Sequence, residues 1–134
     1  MPHYFTPNEA NDLLAEIRPL AEELVAHRRA YLQLQQERAE LAQRIAGNGG
    51  GIDSQRLSDL EAAEERERIG IARTVNAIHG HGAIVKDPDT GLVDFPAVRE
   101  GEEILLCWQL GEDQVAHWHG LEEGFEGRRP LDAE

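Results

Sequence analysis

The chain has 134 residues, of which 40% are hydrophobic and 29% are charged, and its formal net charge is −13. This length and composition predict one globular domain, residues 1–134, with enough apolar residues for a buried core. The excess of acidic residues repels phosphate backbones and argues against a nucleic-acid partner. No apolar run reaches membrane-spanning length, and the first twenty residues lack the apolar segment of a signal peptide. We therefore expect a cytoplasmic protein with no membrane partner.

The first predicted element is a long helix that begins near Pro7. Thr6 can cap the first free N–H groups, and Glu9 three residues later completes a capping box. From Leu13 onward, apolar side chains recur at alternating spacings of three and four residues, as in a coiled coil. The glycine-rich segment 47–51 is expected to end this helix in a turn.

A second helix is predicted from Asp53 or Ser54 to about Ile78. Because only a short loop joins the two helices, they should pack antiparallel and form a helical hairpin over residues 7–80.

The apolar stripes of the two helices each carry a polar exception, Arg38 on the first and Glu64 on the second. Antiparallel pairing brings these residues together, and we interpret them as an ion pair that sets the register, although both could instead turn to water. The first helix also extends roughly 20 Å beyond the second. Its apolar segment from Leu13 to Leu24 must be covered, either by the rest of the chain or by a second copy. We therefore expect self-association, as a homodimer, through the first helix.

The second half of the chain has the alternating pattern of strands. Residues 82–120 predict an antiparallel β meander of about four strands, and residues 121–134 an acidic, glycine-containing tail. Asp87–Gly91 has the residues of a turn, Pro96–Gly101 is interpreted as a connector, and Gly111–Gln114 as the loop of a hairpin. The expected fold class is α+β, a long antiparallel α-helical hairpin followed by a small antiparallel β meander.

Histidines two residues apart on one predicted strand are the main candidates for metal binding. His117 and His119 point to the same face, because side chains alternate along a strand. Asp94 or Cys107 on neighbouring strands could supply a third ligand, as in an open zinc site. We take Asp94, His117 and His119 as the candidate ligands and zinc as the possible cofactor. The alternative is that these histidines are half-buried or face a partner.

The register of the predicted hairpin decides which side chains meet. The favoured register sets Trp108 opposite His117, so that Trp108, His117 and Trp118 form a candidate ligand-binding pocket. A shift of one residue sets Cys107 opposite His119 and favours a metal site.

Short motifs spread over nearly the whole chain carry a family resemblance. They are Tyr4-Phe5-Thr6 with Glu9-Ala10, Val85-Lys86-Asp87, Gly91-Leu92-Val93-Asp94-Phe95-Pro96, Leu106-Cys107-Trp108, Leu110-Gly111-Glu112, Trp118-His119, and Gly124-Phe125 with Gly127-Arg128. Together they resemble an uncharacterised bacterial family known as domain of unknown function 2203. The resemblance implies a small prokaryotic, cytoplasmic protein and supplies no activity, substrate or catalytic residue.

No catalytic residue is predicted, because the single cysteine, Cys107, lies in an apolar strand with no cation beside it in the sequence. We favour a non-enzymatic protein-interaction module. The alternative is a metal-dependent enzyme or small-ligand-binding protein that uses the face carrying Asp94, His117 and His119.

Overall fold

The computed structural model describes residues 3–48 and 54–131 and has the predicted α+β architecture. Helix α1 spans Pro7–Asn48 and helix α2 spans Ser54–Gly80. A single antiparallel sheet follows, with a short 3-10 helix at Phe125–Gly127 before its last strand. The strands are β1 (Ile84–Asp87), β2 (Leu92–Arg99), β3 (Glu102–Gln109), β4 (His117–Gly120) and β5 (Arg129–Pro130).

The capping box predicted at the start of α1 is confirmed. The backbone N–H of Thr6 donates to Glu9 Oε1 at 2.9 Å, and the N–H of Glu9 donates to Thr6 Oγ1 at 3.1 Å. At its other end α1 continues through Gly47 to Asn48. The remaining residues of the predicted turn, 49–51, lie outside the described residues.

The two helices pack antiparallel, and the predicted contact between them is present. Arg38 Nε donates to Glu64 Oε2, with the Glu64 side chain only 7% exposed and that of Arg38 36% exposed. Nearer the sheet, His27 Nδ1 lies 2.7 Å from Glu67 Oε1. These polar contacts sit between apolar stretches and help to fix the register of the hairpin.

The strands are arranged in the order β1-β2-β3-β4-β5, so every strand pairs with its neighbours in sequence. The meander is confirmed, and the segment predicted as a tail contributes the fifth strand. The predicted connector at Pro96–Gly101 was wrong, because β2 runs through Pro96 and turns at Glu100 and Gly101. Proline has no N–H to donate to a neighbouring strand. Pro96 is tolerated in β2 because the pairing with β1 ends at Asp94, so β1 has no carbonyl oxygen opposite Pro96 that would lack a donor.

One face of the sheet covers the part of α1 that extends beyond α2. Leu14, Ile17 and Leu24 of α1 are buried in one cluster with Phe95 and Trp108 of the sheet. The buried residues between Leu13 and Leu24 are therefore covered within the same chain, while Leu20 stays only partly buried. Burial of this segment thus does not require a second copy. Among the described residues, neither helix is long and apolar enough to cross a membrane.

Candidate metal centre

The register of β3 and β4 determines which side chains meet on the sheet. Cys107 lies opposite His117, and Leu105 lies opposite His119. Both registers considered from the sequence were wrong, because one set Trp108 opposite His117 and the other set Cys107 opposite His119. The favoured register was off by one residue, since His117 lies opposite Cys107 instead of Trp108. The alternative register was off by two residues, since Cys107 lies opposite His117 instead of His119.

Contacts with α1 hold the loop between β3 and β4. The N–H of Val115 donates to Asn11 Oδ1 at 2.6 Å, and Asn11 Nδ2 donates to the carbonyl oxygen of Val115 at 3.3 Å. The guanidinium of Arg18 donates to the carbonyl oxygens of Glu112 and Asp113, each at 3.0 Å. The loop is thus shaped by a distant helix, and the local sequence of the loop gives no sign of these contacts.

The two tryptophans and His117 lie on different faces of the sheet. Trp108 is fully buried on the face that packs against the helices, and Trp118 shares that face. The Trp118 ring lies beneath the guanidinium groups of Arg99 and Arg129, at 4.8 and 4.7 Å from its centroid. His117 is on the opposite face because side chains alternate along β4. These three predicted ligand-binding residues therefore do not line a common pocket.

The other face of the sheet, away from the helices, carries a cluster of three polar side chains from three adjacent strands. Asp94 of β2 pairs directly with Cys107 of β3, and His119 of β4 reaches toward both. One ligand atom from each residue lies within 4.8 Å of the other two. The exposed fractions of Asp94, Cys107 and His119 are 0, 0 and 2%. This buried cluster is the candidate functional site.

Hydrogen bonds fix the orientation of the His119 ring. Nδ1 lies 2.8 Å from the carbonyl oxygen of Gly120, which can only accept, so Nδ1 carries a hydrogen. Nε2 consequently faces Asp94, 3.0 Å from Oδ2. The other carboxyl oxygen, Asp94 Oδ1, is buried and has no hydrogen-bond partner among the described residues. The Cys107 thiol beside this carboxyl group is too weak a donor to replace a full hydrogen bond.

Burial dominates the electrostatics of the cluster. It raises the pKa of Asp94, although the charges of His119 and Lys86 oppose this shift. Burial, together with the neighbouring Asp94 carboxylate, raises the pKa of the Cys107 thiol from its ordinary 9.0 to about 12. A thiol with this pKa is protonated near neutrality and is a poor nucleophile. Both ring nitrogens of His119 face other groups, Nδ1 the carbonyl oxygen of Gly120 and Nε2 the Asp94 carboxyl group. Cys107 and His119 therefore do not form a catalytic cysteine-histidine pair.

His117, the remaining predicted ligand, is held by a different partner. Arg128 donates to His117 Nδ1 and also to Glu112 Oε2, the latter at 2.7 Å. Because arginine can only donate, His117 Nδ1 accepts a hydrogen bond and has no free lone pair for a metal. The structure thus brings Asp94 and His119 together as predicted, with Cys107 rather than His117 as the third member of the cluster.

The cluster has the donors and the approximate spacing of a zinc site. Tetrahedral zinc with ligands at 2.0–2.3 Å separates its ligand atoms by about 3.3–3.8 Å, so small side-chain rotations would bring these three donors onto one ion. Imidazole, thiolate and carboxylate are all common zinc ligands. A zinc-binding histidine usually donates its second ring N–H to a carbonyl or carboxylate, as His119 does to Gly120.

The sequence contains a signal for the pairing of Asp94 with Cys107. The Glu100-Gly101 turn has two residues with φ of 52° and 83°, as in a type I′ hairpin, and it fixes the register of β2 against β3. A two-residue loop at this point sets Asp94 opposite Cys107. The pairing was not predicted because Pro96–Gly101 was expected to be a connector and not the end of a strand with a two-residue turn. The contact of Arg128 with His117 has no such signal, because it depends on how the segment after β4 folds back.

Comparison with known proteins places the chain in a family and gives no activity. Neither the search of curated proteins nor the search of solved structures returned a match. A family model described as an uncharacterized conserved protein matches residues 3–131, nearly the whole chain. The chain therefore belongs to this family, domain of unknown function 2203.

Proposed function

We propose that this protein binds a divalent transition-metal ion, zinc by its donor set, through Asp94, Cys107 and His119. The observation that carries the proposal is the fully buried Asp94 carboxyl group, whose Oδ1 has no hydrogen-bond partner among the described residues. It lies beside an imidazole nitrogen and a thiol sulfur, two kinds of atom that bind zinc in proteins. A buried carboxylate without its full set of partners costs stability, and a bound cation would remove that cost.

The burial of the ligands favours a structural ion over a catalytic one. A catalytic zinc keeps a position open to water or substrate. Here all three ligand residues are at most 2% exposed, so a substrate has no direct approach to the ion. The ion would instead join β2, β3 and β4 at one point. This role fits the non-enzymatic interaction module and the bacterial cytoplasmic location expected from the sequence, since thiolate ligation requires a reduced cysteine.

Zinc titration of the metal-free protein tests this proposal. We expect one zinc per chain, bound with an affinity that Cys107→Ser or His119→Gln lowers by more than about 100-fold, because even residues that only support a ligand contribute 10–100-fold. Zinc at 100 times its dissociation constant should stabilise the native protein by about 2.7 kcal/mol. Competition with a coloured chelator measures the affinity, and thermal unfolding measures the stabilisation.

Two further variants separate metal binding from folding. Asp94→Asn keeps a donor that can reach His119 Nε2, so it should fold and yet lose zinc binding. His117→Gln changes a histidine on the same strand outside the cluster, so it should bind zinc as the native protein does. The proposal fails if native protein takes up no zinc, or if His117→Gln lowers zinc affinity as much as His119→Gln does.

A further inference from the structure

An apolar groove runs between the two helices on a side that the sheet does not cover. We define the hairpin groove by six residues that line it, three from α1 and three from α2, and its volume is about 560 Å³. These residues are Leu20, Glu23, His27, Ile69, Arg73 and Ala77. Ile69 is 45% exposed and adds apolar surface to the groove. We propose that a second copy of this chain packs on the hairpin groove, so that two hairpins form a four-helix bundle.

The rims of the groove carry opposite charges. Glu23 lies on the α1 side and Arg73 on the α2 side, and neither makes an ion pair within the described part of the chain. A two-fold axis parallel to the helices sets α1 of each copy over α2 of the other. That arrangement brings an acidic rim onto a basic rim on both sides of the axis. An axis across the helices would instead set like-charged rims together.

The two charged residues also lie at the same level along the hairpin. A Cβ added to Gly70 would come within 2.6–2.7 Å of the His27 ring, so these two residues are level with each other. Glu23 precedes His27 by four residues, and Arg73 follows Gly70 by three. Since the helices run antiparallel, both displacements, about 6 Å and 4.5 Å, are in the same direction. Glu23 of each copy therefore faces Arg73 of the other.

The available surface matches the size of a stable interface. Helix α2 has 27 residues, which corresponds to a length of about 40 Å. Two helices packed side by side present a face about 20 Å wide. The product, about 800 Å² per copy, describes the whole face of the hairpin, of which the groove is one part, and is comparable with the area that each partner contributes to an interface of standard size. The groove shares Leu20 and Glu23 with the segment Leu13–Leu24, through which self-association was predicted from the sequence, and it adds the facing residues of α2. Its pairing does not depend on the metal.

Sedimentation equilibrium of the full chain at micromolar concentrations, with charge-reversal variants, tests the pairing. We expect the native protein to be a dimer. Glu23→Arg and Arg73→Glu should each weaken dimerisation by at least roughly 100-fold, because each variant creates two like-charge contacts. Both residues are exposed, so both variants should fold. Glu22→Arg is the matched control, because Glu22 is also exposed on α1 but does not line the groove.

Mixing the two variants distinguishes contacts between copies from contacts within one chain. The mixture contains one copy with two arginines and one with two glutamates at these positions, so both contacts between copies are again attractive. We expect heterodimers of Glu23→Arg with Arg73→Glu at the native affinity. The inference is overturned if the native protein is monomeric, if the mixture stays monomeric, or if Glu22→Arg is as disruptive as Glu23→Arg.

Discussion

At the scale of single residues, burial determines the protonation of Cys107 and Asp94. In water a thiol, a carboxyl group and an imidazole would each be solvated and would titrate nearly independently. Here all three groups are buried, and one ligand atom of each lies within 4.8 Å of the other two. Burial and the Asp94 carboxylate keep the Cys107 thiol protonated, and the same burial disfavours the charged form of Asp94 itself. Binding a cation is the change that makes both deprotonated forms favourable.

The raised pKa of Cys107 predicts that the stability of the metal-free protein falls at alkaline pH. The thiol titrates near 9.0 in the unfolded chain and near 12 in the folded one. Between these values the unfolded chain has lost the proton and the folded chain retains it, so the free energy of unfolding falls as pH rises. This contribution to stability is fully present below pH 9 and is lost as pH approaches 12. Urea denaturation at several alkaline pH values, in the presence of a chelator, measures the decline.

Cys107→Ser provides the comparison, because serine does not titrate in this range. The decline in its stability between pH 9 and 11 should be shallower than in the native protein, since other groups titrate equally in both. Identical pH profiles for the two proteins would show that the Cys107 thiol does not hold its proton more tightly in the folded state.

At the scale of elements, the sequence predicts what is determined locally. The start of α1 follows from the Thr6 capping box, and the packing of α1 on α2 follows from two apolar stripes with one polar exception each. The β3–β4 register could not be predicted in this way, because Asn11 and Arg18 hold the intervening loop from about a hundred residues earlier. Cys107 joins the cluster through the β2–β3 register, whereas the contact that holds His117 depends on Arg128, a residue beyond β4.

Asn11 of α1 is therefore expected to stabilise the loop between β3 and β4. Asn11→Ala leaves the N–H of Val115, a buried residue, without its partner, which should cost about 1–3 kcal/mol. The loop before β4 should also loosen, and hydrogen exchange of the β4 amides should accelerate. Asn8→Ala is the control, because Asn8 is an exposed asparagine on the same helix. If both variants unfold at the same urea concentration, Asn11 does not hold the loop.

At the scale of the whole molecule, the proposed metal site and the proposed pairing surface lie on different parts of the fold. The core between the sheet and α1 uses one face of each strand, which leaves the opposite face for the metal cluster. The hairpin extends away from this cluster and presents the groove. A net charge of −13 opposes pairing at long range. Because salt screens charges beyond about 8 Å at physiological ionic strength, contacts between the rims can still decide the association.

X-ray absorption at the zinc edge tests the metal site most directly, because it reports the atoms bound to the ion. We expect one sulfur ligand at about 2.3 Å and nitrogen or oxygen ligands at about 2.0–2.2 Å in the native protein. The sulfur contribution should disappear in Cys107→Ser loaded with excess zinc and should persist in His117→Gln. A zinc-loaded native protein with no sulfur neighbour, or one whose spectrum is unchanged in Cys107→Ser, would contradict a metal site at Asp94, Cys107 and His119.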